Sequence, residues 1–243
     1  MSGFFGFDPE SLGAPEPWQL ERVRKLKSGE ATADIPVLDF DDRPLGRVLT
    51  LTTTRSDREQ LGETFVRWRN QIRTGWLDQR RVTLEGTRQW LETALGDDRR
   101  LNRLVYVGDD RLIGRTGFVD LGRRGNMSDG IVRGERGGGM NFMHFVNFAC
   151  MAWDFEHLDL STMYSKVLVT NDLAMESTRT LGYRILGDVP LYRVETASGP
   201  VFTEISTSGA VATGEMLRYL GCDRQCFEAA RMRAWKSRSF NAL

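Results

Sequence analysis

Residues 128–155, SDGIVRGERGGGMNFMHFVNFACMAWDF, narrow the choice of fold more than any other part of the chain. They read as a short strand at 130–133, a glycine- and arginine-rich turn at 134–139, and then a helix. In that helix Phe142, Met143, Phe145, Val146, Phe148, Ala149, Met151, Ala152 and Phe155 cover most of the circumference. A helix apolar nearly all round lies in the middle of a domain, since a surface helix needs only one apolar stripe. The polar turn therefore sits at the end of a buried element. Glycines let the backbone there close on an anion, and the helix N-terminus adds free N–H donors and the positive end of a dipole. Arg133 and Arg136 bring positive charge to the same turn. The combination points to a phosphate-holding site. On the glycines alone, a surface loop between two core elements is the plainer alternative.

The flanking pattern supplies the rest of a domain. Residues 47–54 alternate as a strand. Ser56 and Asp57 offer an N-cap to a helix over 57–71, with Leu61, Phe65 and Trp68 on one side. Thr83 opens a second helix over 84–95, and Gly96-Asp97-Asp98 ends it. Strands at 104–107 and 112–121 flank the turn signal Gly108-Asp109-Asp110. A strand at 163–169 and a helix at 171–181, closed by Gly182, follow. Residues 183–186 and 191–195 read as a closing strand pair around Gly187-Asp188. In the tail, 201–207 reads as a strand and 214–236 as a helix bent at Gly221. Residues 1–45 hold most of the prolines and read as an irregular arm around a basic amphipathic piece at 18–27. The order β-α-α-β-β-β-α-β-α-β predicts an α/β (α+β) fold with a mixed sheet. It divides into an arm (1–45), a domain (46–195) and a C-terminal strand and helix extension (196–243).

Charge excludes some partners. Lys+Arg and Asp+Glu both number 33, so no global field draws the chain to nucleic acid or a membrane. There is no apolar run of membrane-spanning length. The N-terminus lacks a basic, then apolar, leader pattern, which makes a cytoplasmic location the expectation. Cys150, Cys222 and Cys226 do not form a disulfide framework, and with only His144 and His157 beside them no metal set is expected.

Four segments add a resemblance. Trp68-Arg69-Asn70 with Thr83 and Gln89-Trp90-Leu91 is similar to a "WRN … T … W-L" opening. Residues 112–118, LIGRTGF, are similar to an "x-I-G-x-x-x-F" strand. Arg133-Gly134-Glu135 with Gly137-Gly138-Gly139 is similar to an R-G-x-G-x-G pyrophosphate loop. Residues 167–171 (VLVTN) with Leu181-Gly182-Tyr183 are similar to a "V-x-x-x-N … L-G-F/Y" ending. In this order the four resemble the GNAT superfamily of acyl-CoA-dependent N-acyltransferases, in particular its RimJ/RimL-like and amino-sugar N-acetyltransferase branches. The resemblance covers about residues 49–193. It implies a central mixed, mostly antiparallel sheet flanked by helices.

The resemblance also implies a cofactor, acetyl-CoA or another acyl-CoA, with its pyrophosphate on backbone N–H groups of Arg136, Gly137, Gly138, Gly139, Met140, Asn141 and Met143, beside Arg133. A backbone N–H of Ile131 or Val132 would face the thioester oxygen, and Asn171 would bond the pantetheine arm. Two departures stand out: Arg136 occupies a glycine position of the pattern, and Thr178 occupies that of a tyrosine that protonates the departing thiolate. Asp129, just before Gly130-Ile131, is the first candidate base, with a turn aspartate as its plainer reading. His144 is the second candidate base. Trp68, Arg69, Asn70, Arg73 and Trp76 lie where the acceptor wall would be; aromatic faces beside Arg and Asn suit a sugar ring or nucleotide. Trp68 equally suits an ordinary core role. The expected acceptor is a small-molecule primary amine, an amino sugar or nucleotide-linked amino sugar. A protein acetyltransferase and a non-catalytic acyl-CoA-binding module are the alternatives. The apolar face of the last helix suits a homodimer contact or a lid.

Overall fold

In the computed structural model of the chain, residues 12–108, 110–128 and 131–240 are described, Thr74 by its backbone only. The elements are α1 (Pro17–Ser28), β1 (Asp34–Leu38), β2 (Pro44–Thr50), α2 (Arg58–Gln71), a short 3₁₀ turn (Arg73–Gly75), α3 (Leu84–Gly96), β3 (Leu101–Val107) and β4 (Arg111–Leu121). There follow β5 (Gly125–Ser128), β6 (Val132–Arg133), α4 (Phe142–His157), β7 (Thr162–Leu168), α5 (Asp172–Thr180), β8 (Arg184–Thr196), β9 (Gly199–Thr203), β10 (Val211–Asp223) and α6 (Arg224–Ser237). One sheet runs β1-β2-β3-β4-β5-β7-β10-β8-β9, with β6 on β4. Its pairings are antiparallel except for β5 with β7. It is thus a mixed, mostly antiparallel sheet flanked by helices.

Strand β3 shows how the layers form. Leu101 and Val105 point into a core shared with α1, α4 and α6, whereas Leu104 and Tyr106 point into a second core under α2 and α3. Alternate side chains of a strand face opposite sides, so helices cover both faces of the sheet. Helix α4 is buried as its composition predicts: Phe142, Val146, Phe148 and Phe155 are inaccessible or nearly so. It also holds a buried ion pair, Arg103 of β3 with Asp154 of α4. Burial beside that pair pushes the Cys150 thiol up to about 12, so this cysteine is an inert core group.

Several sequence expectations change. Residues read as an irregular arm contain α1 and β1, because Val23, Leu26, Ile35 and Val37 bury into the same core as α4. Asp57 does not cap α2 through its side chain; its carboxylate takes the Arg55 guanidinium instead. Gly187-Asp188 is not a turn. β8 runs straight through it, Leu186 is the unpaired residue of a bulge opposite Tyr219 and Leu220, and Asp188 accepts two bonds from Arg218. The helix read over 214–236 is strand β10 as far as Asp223 and helix α6 only from Arg224. β10 lies between β7 and β8, with residues 219–222 buried in succession. A strand covered on both faces loses its period of two, and its Met, Leu and Leu spacing imitates a helix. Cys222 and Cys226 therefore sit in different elements; with Cys150 they are free thiols. Among the described residues no helix is long and apolar enough to cross a membrane, and no His, Cys, Asp or Glu group could hold a metal ion.

Candidate active site

The sheet parts in the middle. Among the described residues β5 and β7 pair from Gly125–Thr162 to Met127–Tyr164 and no further. Beyond that point β7 bonds β10 alone and β6 bonds β4 alone. Two neighbouring parallel strands thus diverge, and those backbone polar groups of 131–133 and 165–168 that point away from β4 and β10 face a wedge. Helices α4 and α5 begin just beyond the C-terminal ends of β6 and β7, so two helix N-termini stand at its mouth.

The turn between β6 and α4 is held from its carbonyl side. Arg133 Nη2 donates to the carbonyls of Gly137 (2.6 Å) and Gly139 (3.1 Å), and Arg111 Nη2 to that of Arg136 (2.7 Å). With the carbonyls engaged, no loop hydrogen bond among the described residues takes the N–H of Arg136, Gly137, Gly138, Gly139 or Met140. Asn141 gives α4 no side-chain cap. Arg133 thus shapes the turn, while the Arg136 and Met140 side chains are exposed. Gly138 has φ +70°, and a Cβ there would lie 2.4 Å from the Phe142 ring. The turn is tied to α2 as well. The N–H groups of Gly134 and Glu135 donate to Ile113 O, and the Glu135 carboxylate accepts from Trp68 Nε1 (2.9 Å) and Arg67 (2.6 Å). The Trp68 bond, then the Arg67 bond, hold the Glu135 carboxyl below its ordinary range. Gly134 leaves room for the Trp68 indole, which a Cβ would meet at about 2.0 Å.

On the α2–α3 side, a cavity of about 520 Å³ lies over β4 and β6. Its walls include Trp68, Arg69, Trp76, Trp90 and Arg115, and its floor reaches Val132. Asn70 shapes it from behind: its Nδ2 donates to Val82 O and its Oδ1 accepts from Val82 N, both at 3.0 Å. Arg69 donates to the Asp78 carbonyl, and its guanidinium lies 4.5 Å from the Trp76 ring centroid. Arg115 lies 5.0 Å from that of Trp90. The linker over 77–81 is stitched to the β8–β9 hairpin by bonds from Gln79 N to Pro200 O, Arg81 N to Ser198 O and Phe202 N to Leu77 O. Arg73 is exposed on the 3₁₀ turn and does not line the cavity.

No family model and no curated protein matches the chain. Solved structures do. Over 74% of this chain and 98% of its own, spermidine N-acetyltransferase from Vibrio cholerae, solved with CoA and spermine, superposes with a TM-score of 0.56 at 14% identity. RimL, a ribosomal L7/L12 alpha-N-protein acetyltransferase, covers 79% and 94% at 12% identity and a TM-score of 0.56. A GCN5-related N-acetyltransferase from Brucella melitensis covers 79% and 81% at 16% identity and a TM-score of 0.54. This chain has the GNAT fold. In this chain β5 and β7 pair only at 125–127 with 162–164 among the described residues, and β10 lies between β7 and β8.

Within the GNAT fold the remaining sequence candidates fall in different places. Asp129 lies outside the described residues. Asn171 is the N-cap of α5: its Oδ1 accepts from Ala174 N at 3.2 Å. Thr178 is buried and its hydroxyl donates to Met175 O at 2.9 Å, so its proton is engaged within its own helix. His144 is on the α4 face of the sheet, opposite the cavity, with its ring stacked on Phe240 at 4.8 Å. Its Nδ1 is buried without a hydrogen-bond partner, and burial lowers its pKa against the opposing pull of Glu176. The structure therefore separates His144 from the Trp68, Arg69 and Trp76 wall. Sequence reasoning passed over Trp90 and Arg115 as site residues. A charged Arg115 within a largely buried strand was the available signal.

His144 carries a pH prediction. Its folded-state pKa is below the unfolded value of roughly 6.5. Below that pH the unfolded chain binds a proton that the folded chain excludes, so the folded state loses stability as pH falls from about 6.5 toward the folded-state value. Urea midpoints between pH 7 and 5 should fall more steeply for the wild type than for His144→Phe. Parallel slopes would remove His144 as a contributor.

Proposed function

We propose that the protein is an acetyl-CoA-dependent N-acetyltransferase acting by direct transfer on a small-molecule primary amine, of the amino-sugar or nucleotide-linked amino-sugar class. One observation carries this reading: the β6–α4 turn, whose N–H groups 136–140 take part in no loop hydrogen bond among the described residues, directly follows the short strand β6, whose Val132 lines the cavity under α2 and α3. The turn fits a CoA pyrophosphate. It offers donors without acceptors, an uncapped helix N-terminus, and a glycine where any side chain would strike Phe142.

Acetyl-CoA supplies an acyl thioester, and transfer forms an N–C bond as the C–S bond breaks. The N–H groups of 136–143 bind the pyrophosphate. Asn171, whose Oδ1 is engaged in the cap, keeps Nδ2 for a pantetheine carbonyl. The N–H of Ile131 or Val132 faces the thioester oxygen as it gains negative charge. Asp129 takes the ammonium proton through water. With the Thr178 hydroxyl engaged at Met175, the thiolate receives its proton from water. Holding both reactants at one strand supplies much of the acceleration. The stitching of the linker to the β8–β9 hairpin closes the cavity on one side, which supports a small acceptor over an extended peptide.

The test is calorimetric titration with acetyl-CoA, followed by a thiol-release assay against amines led by glucosamine and nucleotide-linked amino sugars. Acetyl-CoA binding with amine-dependent thiol release is expected. A folded protein that binds no acetyl-CoA overturns the reading; binding with no thiol release from any amine reduces it to a binding module.

A further inference from the structure

The charge of the cavity is unbalanced around one side chain. Arg69 Nη2 donates to a neutral carbonyl, that of Asp78, while its Nη1 is buried and has no hydrogen-bond partner. The Asp78 carboxylate does not serve it: both of its oxygens are taken by the Arg80 guanidinium, at 2.9 and 2.7 Å. No carboxylate among the described residues forms an ion pair with Arg69. Burial, opposed by Asp78 and reinforced by Arg115, Arg73 and Arg80, brings its pKa down to about 10, which states the same deficit of negative charge. A guanidinium keeps its proton at neutral pH even so. Trp76 packs against the cation at 4.5 Å and fixes its place without accepting its N–H groups. Arg81 and Arg115 line the same cavity. The lining thus carries Arg69, Arg80, Arg81 and Arg115 against one carboxylate, Asp78, which Arg80 already engages, and an anionic ligand balances that excess.

We propose that the acceptor amine carries an oxyanion, phosphate or carboxylate, that is held in this cavity by the Arg69 guanidinium, with Arg81 and Arg115 on the same lining. The inference rests on the reading of the cavity as the acceptor site. Trp76 and Trp90 then bound the ring that bears the anion, and Arg69 is a specificity-determining residue.

The test uses three matched probes that share ring and amine: glucosamine, glucosamine 6-phosphate and muramic acid, which adds a carboxylate. Each is titrated calorimetrically into the full chain without acetyl-CoA. At least one anionic probe is expected to bind roughly ten-fold or more tightly than glucosamine, the scale of one charge-assisted hydrogen bond; which one does so separates phosphate from carboxylate. Arg69→Gln should abolish the preference and Arg69→Lys should restore part of it. Circular dichroism and urea midpoints establish that both variants fold. Equal affinity for all three probes, no binding at millimolar concentration, or a preference that survives Arg69→Gln would each overturn the inference. A parallel acetyl-CoA titration keeps the two readings apart: its failure removes the transferase assignment and leaves the probe comparison intact.

Discussion

Gly138→Val is expected to lower acetyl-CoA affinity by about 100-fold while the chain remains folded. Two effects combine. Gly138 has φ +70°, a conformation that costs an L-residue roughly 1–2 kcal/mol and a β-branched one more. A Cβ there would also lie 2.4 Å from Cγ of Phe142, which is fully buried and has nowhere to go. The turn must open, and the N–H groups of 136–140 lose their common direction. Gly139→Ala is the internal control: its φ is +81°, yet nothing lies within 4 Å of a Cβ. It should show the backbone strain alone, about ten-fold. Calorimetry with acetyl-CoA measures both variants. Gly138→Val binding like the wild type would mean that the turn is a structural connection rather than a pyrophosphate cradle.

The largest stability effect should come from Arg103→Met. Arg103 and Asp154 are 1% and 6% exposed, and their bonds link β3 to α4 across the core. Removing the cation leaves a carboxylate buried without its partner, which costs roughly 3–5 kcal/mol. The double replacement Arg103→Met with Asp154→Leu should recover most of this loss, because a packed apolar pair avoids desolvating two charges. Urea unfolding of the two single variants and the double variant closes the cycle. A cost below about 1 kcal/mol for Arg103→Met would show that Asp154 accepts burial without its cation, through protonation or a water.

The turn at 134–139 and the helix after it were legible because their causes are local. Positive φ at Gly138 and Gly139 belongs to the backbone of those residues, and the apolar circumference of α4 is a matter of composition. Thr83 capping α3 through Gly86 N is equally local. Trp68, Arg69, Asn70 and Trp76 were singled out through the family resemblance, but the structure gives each a different place. Trp68 is core and anchors Glu135, Asn70 braces Val82, and Arg69 and Trp76 face the cavity. Arg73, from the same run, does not.

What the chain order and side-chain types decide unaided is the buried α4, the glycine turn before it, and the two helices that precede β3. Only tertiary structure decides that residues 34–38 and 211–223 are strands of the same sheet. Their apolar residues are buried by partners far away in sequence, so no local period announces them. Tertiary structure likewise decides that Arg115 and Trp90 meet Arg69 and Trp76, since strand register and helix docking place them. It also puts His144 on the far face of the sheet: a residue's neighbours in sequence fix its element, and packing fixes what that element faces.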